Sequence, residues 1–141
     1  MKAFFDSSAL VPVFYGDHEH HDRSIAVFRK HGKAQACCAA HSLAEVYAVL
    51  TRMPGRHRIS AEQAILFVEN LHERLTVVSL DAEGYWQGLR KFADRGILGS
   101  TIYDAMLAYC ALKASAETIY TWNVKHYAQL GPEVVKRLRM P

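Results

Sequence analysis

The sequence predicts an α/β fold of three layers, a central parallel sheet between two layers of helices. Four short β-like runs occur at 2–5, 34–39, 76–80 and 118–121, three of them almost uniformly apolar as suits strands buried on both faces. Segments with helical periodicity separate them, and such alternation leads to a parallel sheet covered by helices on both sides. The 141 residues are 50% hydrophobic and 22% charged, the balance of a soluble globular chain that needs no partner to order it. A single domain over 1–141 is expected, burying roughly two-thirds of its unfolded surface.

The elements follow in order. KAFF at 2–5 is the first strand. Helical patterns in SALVPVFY and HDRSIAVFRKHG come next, the second closing at Gly32 with Arg29, Lys30 and His31 in its last turn, where cations suit the helix dipole. AQACCA at 34–39 is the weakest strand, because alanine is a poor strand former. SLAEVYAVLTRM is expected to start from a serine cap at Ser42 and to stop before Pro54 and Gly55. SAEQAILFVENLHERL opens with a capping box, Ser60 and Gln63. After TVVSL, DAEGYWQGLRKFADRG runs from Asp81 to a terminating Gly96, and STIYDAMLAYCALKASA is a long apolar helix entered through Ser100. TIYT at 118–121 is the last strand, and Asn123 behind it is placed to cap a helix carrying Lys125 and His126. No repeat, low-complexity tract or interdomain linker interrupts this order.

Composition bounds the function. A net charge of +3 and a pI near 8.8 are compatible with a nucleic-acid substrate without demonstrating one. The cysteines Cys37, Cys38 and Cys110 have neither disulfide nor zinc spacing, which points to a reducing compartment. The apolar start of the chain is broken by Asp6, Ser7 and Ser8, unlike a signal peptide, and nothing approaches the ~20 apolar residues of a membrane span. A cytoplasmic location is expected.

The residues that carry chemistry are acids in apolar company. Asp6 ends the first strand, where open parallel sheets place their sites. Glu45 lies among Leu43, Val46, Tyr47, Val49 and Leu50, and Asp104 lies within TIYDAMLAYCAL. Buried carboxylates carry a desolvation cost unless something pairs with them. Each has a structural alternative: Asp6 as a helix cap, Glu45 on a narrow polar stripe, Asp104 in a first helical turn that favours negative charge. Together they suit a hard divalent cation such as Mg²⁺ or Mn²⁺, which takes oxygen donors and leaves positions to water and phosphate. A metal so held activates water and stabilises charge at a phosphodiester.

FFDSSAL, SLAEVYAVL, IYDAMLAYCAL and YTWNVKHY resemble, in order and over essentially the whole chain, the motifs of PIN-domain ribonucleases, and more narrowly the VapC-type toxins of toxin–antitoxin pairs. The resemblance implies a three-layer fold and a metal-dependent endoribonuclease. It assigns Asp6, Glu45 and Asp104 to the metal and makes Thr121 and Asn123 a fourth corner of the site. Ser7 and Ser8 would orient ligands. Asn123 stands where many relatives carry aspartate, so it offers an oxygen without a charge and weakens a second metal position. The resemblance also implies an antitoxin that places an arginine in the acidic site. A homodimer is implied too, held by helices 3 to 5 through Tyr47, Leu50, Ile65, Phe67 and Val68.

Other features have two readings. Arg52, Arg56, Arg58 and His57 form either a solvated basic turn or a set of RNA phosphate contacts, and Lys125 and His126 pose the same choice. Tyr103 and Trp122 suit core packing better than base stacking. GDHEHHDR at 16–23 fits no zinc spacing and is expected to be the solvated start of the second helix. A haloacid-dehalogenase-type phosphatase would need a second Asp at position 8, which is Ser8. A response-regulator receiver would need paired acids near the first strand and a Lys ending a late one. A catalytically silent PIN-like module that binds RNA or protein is the remaining alternative.

Overall fold

The computed structural model describes residues 1–141. Five strands, β1 (Ala3–Phe5), β2 (Ala36–Ala39), β3 (Thr76–Val78), β4 (Thr118–Tyr120) and β5 (Leu138–Arg139), form one sheet in the order β3-β2-β1-β4-β5, with every pairing parallel. The helices are α1 (Ser7–Leu10), α2 (His21–Arg29), α3 (Ala40–Arg52), α4 (Ala61–Arg74), α5 (Ala82–Asp94), α6 (Thr101–Lys113), α7 (Val124–Tyr127) and α8 (Pro132–Val135). No helix is long and apolar enough to cross a membrane.

Strand alternation divides the core in two. Phe4, Cys37, Ile119 and Leu138 pack with Phe92 of α5 and with Ala105, Leu107, Ala108 and Ala111 of α6. Ala3, Phe5, Ala36 and Cys38 face the other way, toward Leu10, Phe28, Val46, Leu50, Ala64 and Leu71. Because successive side chains of a strand point to opposite faces, Phe4 and Phe5 each anchor a different layer. The chain covers one face with α1 to α4 while it builds β1, β2 and β3 outward. It then crosses the other face through α5 and α6 and lays β4 on the free side of β1. The strand order reverses between β1 and β4, and a parallel sheet opens a crevice beyond the carboxyl ends of its strands at such a point.

Several local expectations change. β5 is a strand of two residues, Leu138 opposite Ile119 and Arg139 opposite Tyr120, too short to show a period in sequence. Ser42 is not a cap: α3 begins at Ala40, and Ser42 is fully buried within it, its Oγ without a hydrogen-bond partner. SALVPVFY is four residues of α-helix followed by a 3₁₀ turn over Val11–Phe14, because Pro12 has no N–H for a continuing helix. α2 starts at His21, so His18 and His20 sit in the preceding turn, half-buried rather than solvated. Ser60 does cap α4, accepting from the Gln63 N–H at 3.2 Å.

Candidate active site

Asp6 follows β1 directly and takes the N-cap position of α1, where its extended backbone (φ −71°, ψ 157°) turns the carboxylate back over the helix. It is 2% exposed. Oδ2 accepts from the Ser8 backbone N–H at 3.4 Å, the Ser8 hydroxyl at 2.7 Å and the Thr121 hydroxyl at 2.8 Å. Oδ1 accepts from the Tyr127 hydroxyl at 2.9 Å. Asp6 thus caps α1 while gathering donors from α7 and the turn after β4. The register explains the company: Phe5 pairs with Tyr120 and the Asp6 N–H reaches Tyr120 O at 3.0 Å, so Thr121 stands beside Asp6.

Both hydroxyls bind onward as acceptors. Ser8 Oγ receives the Trp122 N–H at 2.9 Å, and Thr121 Oγ1 receives the Asn123 N–H at 2.9 Å. A hydroxyl has one proton, and with both given to Asp6 the 3.2 Å approach of Ser8 Oγ to Thr121 Oγ1 is packing rather than a further bond. The turn after β4 is therefore stitched to the turn after β1. Asn123 occupies the N-cap position of α7, but its side chain makes no capping bond, and its own backbone N–H is held by Thr121 Oγ1.

Glu45 points from α3 toward this turn, accepting from the Ser7 hydroxyl at 3.0 Å with His41 Nε2 at 3.8 Å one helical turn back. Burial raises its pKa, the Ser7 bond and His41 oppose that, and Asp6 and Asp104 add to it. Asp104, in the first turn of α6, lies 3.1 Å from His126 Nδ1. Its carboxyl is likewise raised by burial and then by Asp6, against the His126 contact. The Tyr127 phenol is pushed far up, first by burial and then by Asp6 and Asp104. Asp6 and Asp104 thus both disfavour ionisation of Glu45, and Asp6 disfavours that of Asp104.

No group of three His, Cys, Asp or Glu side chains is arranged to hold a metal ion by itself. The donor set nevertheless fits a hard divalent cation, since it consists of carboxylate and hydroxyl oxygens whose mutual repulsion such a cation relieves. A cation of the Mg²⁺ type keeps several waters and needs few protein ligands. A cleft of about 460 Å³ opens beside Glu45, lined also by Ser7, Ser8 and Asn123 and by His18 and His20.

The expected RNA contacts stand outside that cleft. Arg52 ends α3, Arg56 lies in a short 3₁₀ turn, and Arg58 ties its own loop through Nε to Met53 O at 3.2 Å; all three are exposed. Lys125 is exposed on α7, next to Asn123. Tyr103 is 63% exposed beside Asp104. Trp122 is partly buried, with His20 stacked on it at 3.7 Å. Of the residues expected to join a dimer, Leu50 is fully buried in the chain's own core and Phe67 stacks on Phe14, because α3 and α4 pack on each other and on the 3₁₀ turn. Ile65 and Leu66 remain exposed. Tyr127 went unrecognised as a partner of Asp6: its hydroxyl gives no periodic signal, and the ring reads as ordinary core.

The PIN domain family matches residues 3–128, and the chain belongs to that family. It is 32% identical over 113 residues to Ribonuclease VapC27 of Mycobacterium tuberculosis, covering 79% of this chain and 78% of the relative. It is 28% identical over 114 residues to Ribonuclease VapC40 of the same organism, with 81% of each covered. Among solved structures, M. tuberculosis VapC20, described as a sarcin–ricin loop cleaving toxin, superposes with a TM-score of 0.71 at 16% identity, over 90% of this chain and 94% of that one. VapBC2 of Rickettsia felis bound to a promoter DNA fragment gives 0.67 at 16% identity, over 99% and 98%. At such identities the two structures speak for the fold.

Proposed function

We propose that this protein is a divalent-metal-dependent endoribonuclease and the toxin of a toxin–antitoxin pair. The observation that carries the reading is the electrostatic influence of Asp6, buried at the carboxyl end of β1 where the sheet reverses, on Glu45 and Asp104 from two distant helices. The family and the ribonuclease relatives support it. Asp6, Glu45 and Asp104 would hold Mg²⁺ or Mn²⁺. When bound, such a cation neutralises charge at the scissile phosphate and lowers the pKa of its water. Ser8 and Thr121 fix the Asp6 carboxylate, Ser7 fixes Glu45, and His126 fixes Asp104. Asn123 offers the cleft an amide without charge. Arg52, Arg56, Arg58 and Lys125 serve as outer phosphate contacts for a longer strand.

The partners follow from the same reading. An antitoxin silences the site by presenting a cation to the three acids, and a homodimer uses the exposed Ile65 and Leu66 of α4 rather than Leu50 or Phe67. The test is cleavage of RNA by the purified chain with Mg²⁺, with Mn²⁺ and with EDTA. Cleavage that needs metal and is abolished in Asp6→Asn, Glu45→Gln and Asp104→Asn is expected. Metal-independent cleavage, or wild-type rates in all three variants, overturns it; folded protein that binds RNA but never cuts it leaves the silent binding module standing.

A further inference from the structure

The turn at residues 18–20 forms one wall of the cleft, and no lysine or arginine lines that cleft. Its charged side chains are Glu19 and Glu45, so an RNA strand entering beside Glu45 needs neutral N–H donors to meet its phosphates. Asn123 and the two histidines are the candidates, and His18 is prepared for the role. The His20 backbone N–H donates to His18 Nδ1 at 3.0 Å. A nitrogen that accepts carries no proton, so the neutral ring holds its proton on Nε2. Burial and then the neighbouring His20 keep the His18 pKa below its ordinary value. The Nε2–H has no partner within the protein.

The wall is also braced. His20 lies flat on Trp122, with centroids 3.7 Å apart and planes 9° from parallel. Trp122 is pinned by its indole N–H to Ser24 Oγ at 2.9 Å and by its backbone N–H to Ser8 Oγ at 2.9 Å. His21 Nδ1 sits 2.7 Å from Pro12 O and fixes the other end of the turn. A donor on such a support loses little freedom when it binds.

We propose that His18 is a substrate-binding residue, donating its Nε2–H to a phosphate oxygen of RNA held between Glu45 and the His18–His20 turn. The proposal rests on the ribonuclease reading. It is tested by the affinity of a fluorescein-labelled single-stranded RNA for Asp104→Asn protein in Mg²⁺ buffer, with and without His18→Ala or His18→Gln, together with steady-state cleavage by otherwise wild-type protein. His18→Ala should weaken binding about fivefold, equivalent to about 1 kcal/mol. It should raise KM by a similar factor, with kcat within about twofold, while the unfolding midpoint stays put. His18→Gln, which restores an N–H donor, should recover most of the loss. Unchanged affinity in His18→Ala, no rescue by glutamine, or a fall in the unfolding midpoint matching the loss of affinity overturns the role of His18 alone. If the wild-type protein neither binds nor cleaves RNA in Mg²⁺ buffer, the ribonuclease reading falls with it.

Discussion

Replacing Tyr127 with phenylalanine isolates a single hydrogen bond to the most buried acid of the site. Tyr127 is 0% exposed, and its hydroxyl reaches Asp6 Oδ1 at 2.9 Å, while the other donors to Asp6 all fall on Oδ2. Tyr127→Phe keeps the ring in the core and strips Oδ1 of its donor. A hydrogen bond to a charged group contributes about 1.5–3 kcal/mol, and the lost desolvation of a phenol offsets part of that. A loss of about 2 kcal/mol in the metal-free protein is expected, roughly 4–8 °C in Tm at this chain length. Urea unfolding in EDTA measures it, and a double-mutant cycle apportions it. In an Asp6→Asn background the same change should cost at least about 1 kcal/mol less. A loss below about 0.5 kcal/mol, or an equal loss in both backgrounds, would refute the idea that this bond stabilises a buried charge.

Ser42→Ala should stabilise the protein by about 1 kcal/mol in chemical denaturation, because it removes a buried hydroxyl without a partner from the interior of α3; destabilisation would mean that the hydroxyl is satisfied in solution. Glu45→Gln should abolish cleavage yet stabilise the metal-free fold. The folded pKa of Glu45 is raised, so its contribution is fully present below the unfolded value and is lost as pH rises through the folded one. At neutral pH the charge therefore costs stability. With the side chain 35% exposed, the gain should not exceed about 1 kcal/mol, and it should vanish only once the pH falls below the ordinary glutamate range. Burial pushes the thiols of Cys37, Cys38 and Cys110 to about 11, about 12 and about 11. Iodoacetamide at neutral pH should label none of them in the native protein and all of them in urea; rapid native labelling would show that the sheet opens.

How much of this was readable in the sequence depends on range. The three-layer order was legible because parallel strands buried on both faces are short apolar runs, and helical periods fill the gaps between them. Asp6, Glu45 and Asp104 stood out because a carboxylate in apolar company is conspicuous without knowledge of its neighbours. The ties between them were not legible. That Thr121 and Ser8 share one oxygen of Asp6 depends on the pairing of β1 with β4, more than a hundred residues apart in the chain. Ser42 misled because a serine before an apolar helical run is an ordinary cap signal, and only the sheet's geometry shows that the helix starts two residues earlier. The histidines of the 18–20 turn looked solvated because His20 stacks on a tryptophan that reaches it from β4's far end.

The reversal of strand order has a further consequence. The acids and hydroxyls of the site come from Asp6 and α1, from the turn after β4, and from α3, α6 and α7, whereas α4, β3 and α8 supply none of them. One flank of the molecule, with Ile65 and Leu66 at its surface, is therefore free to change without disturbing the chemistry. The partner surface proposed on α4 thus shares no side chain with the proposed acidic site. Under the proposed function, substitutions at Ile65 and Leu66 alter association and leave the hydrogen bonds to Asp6 and Glu45 as they are.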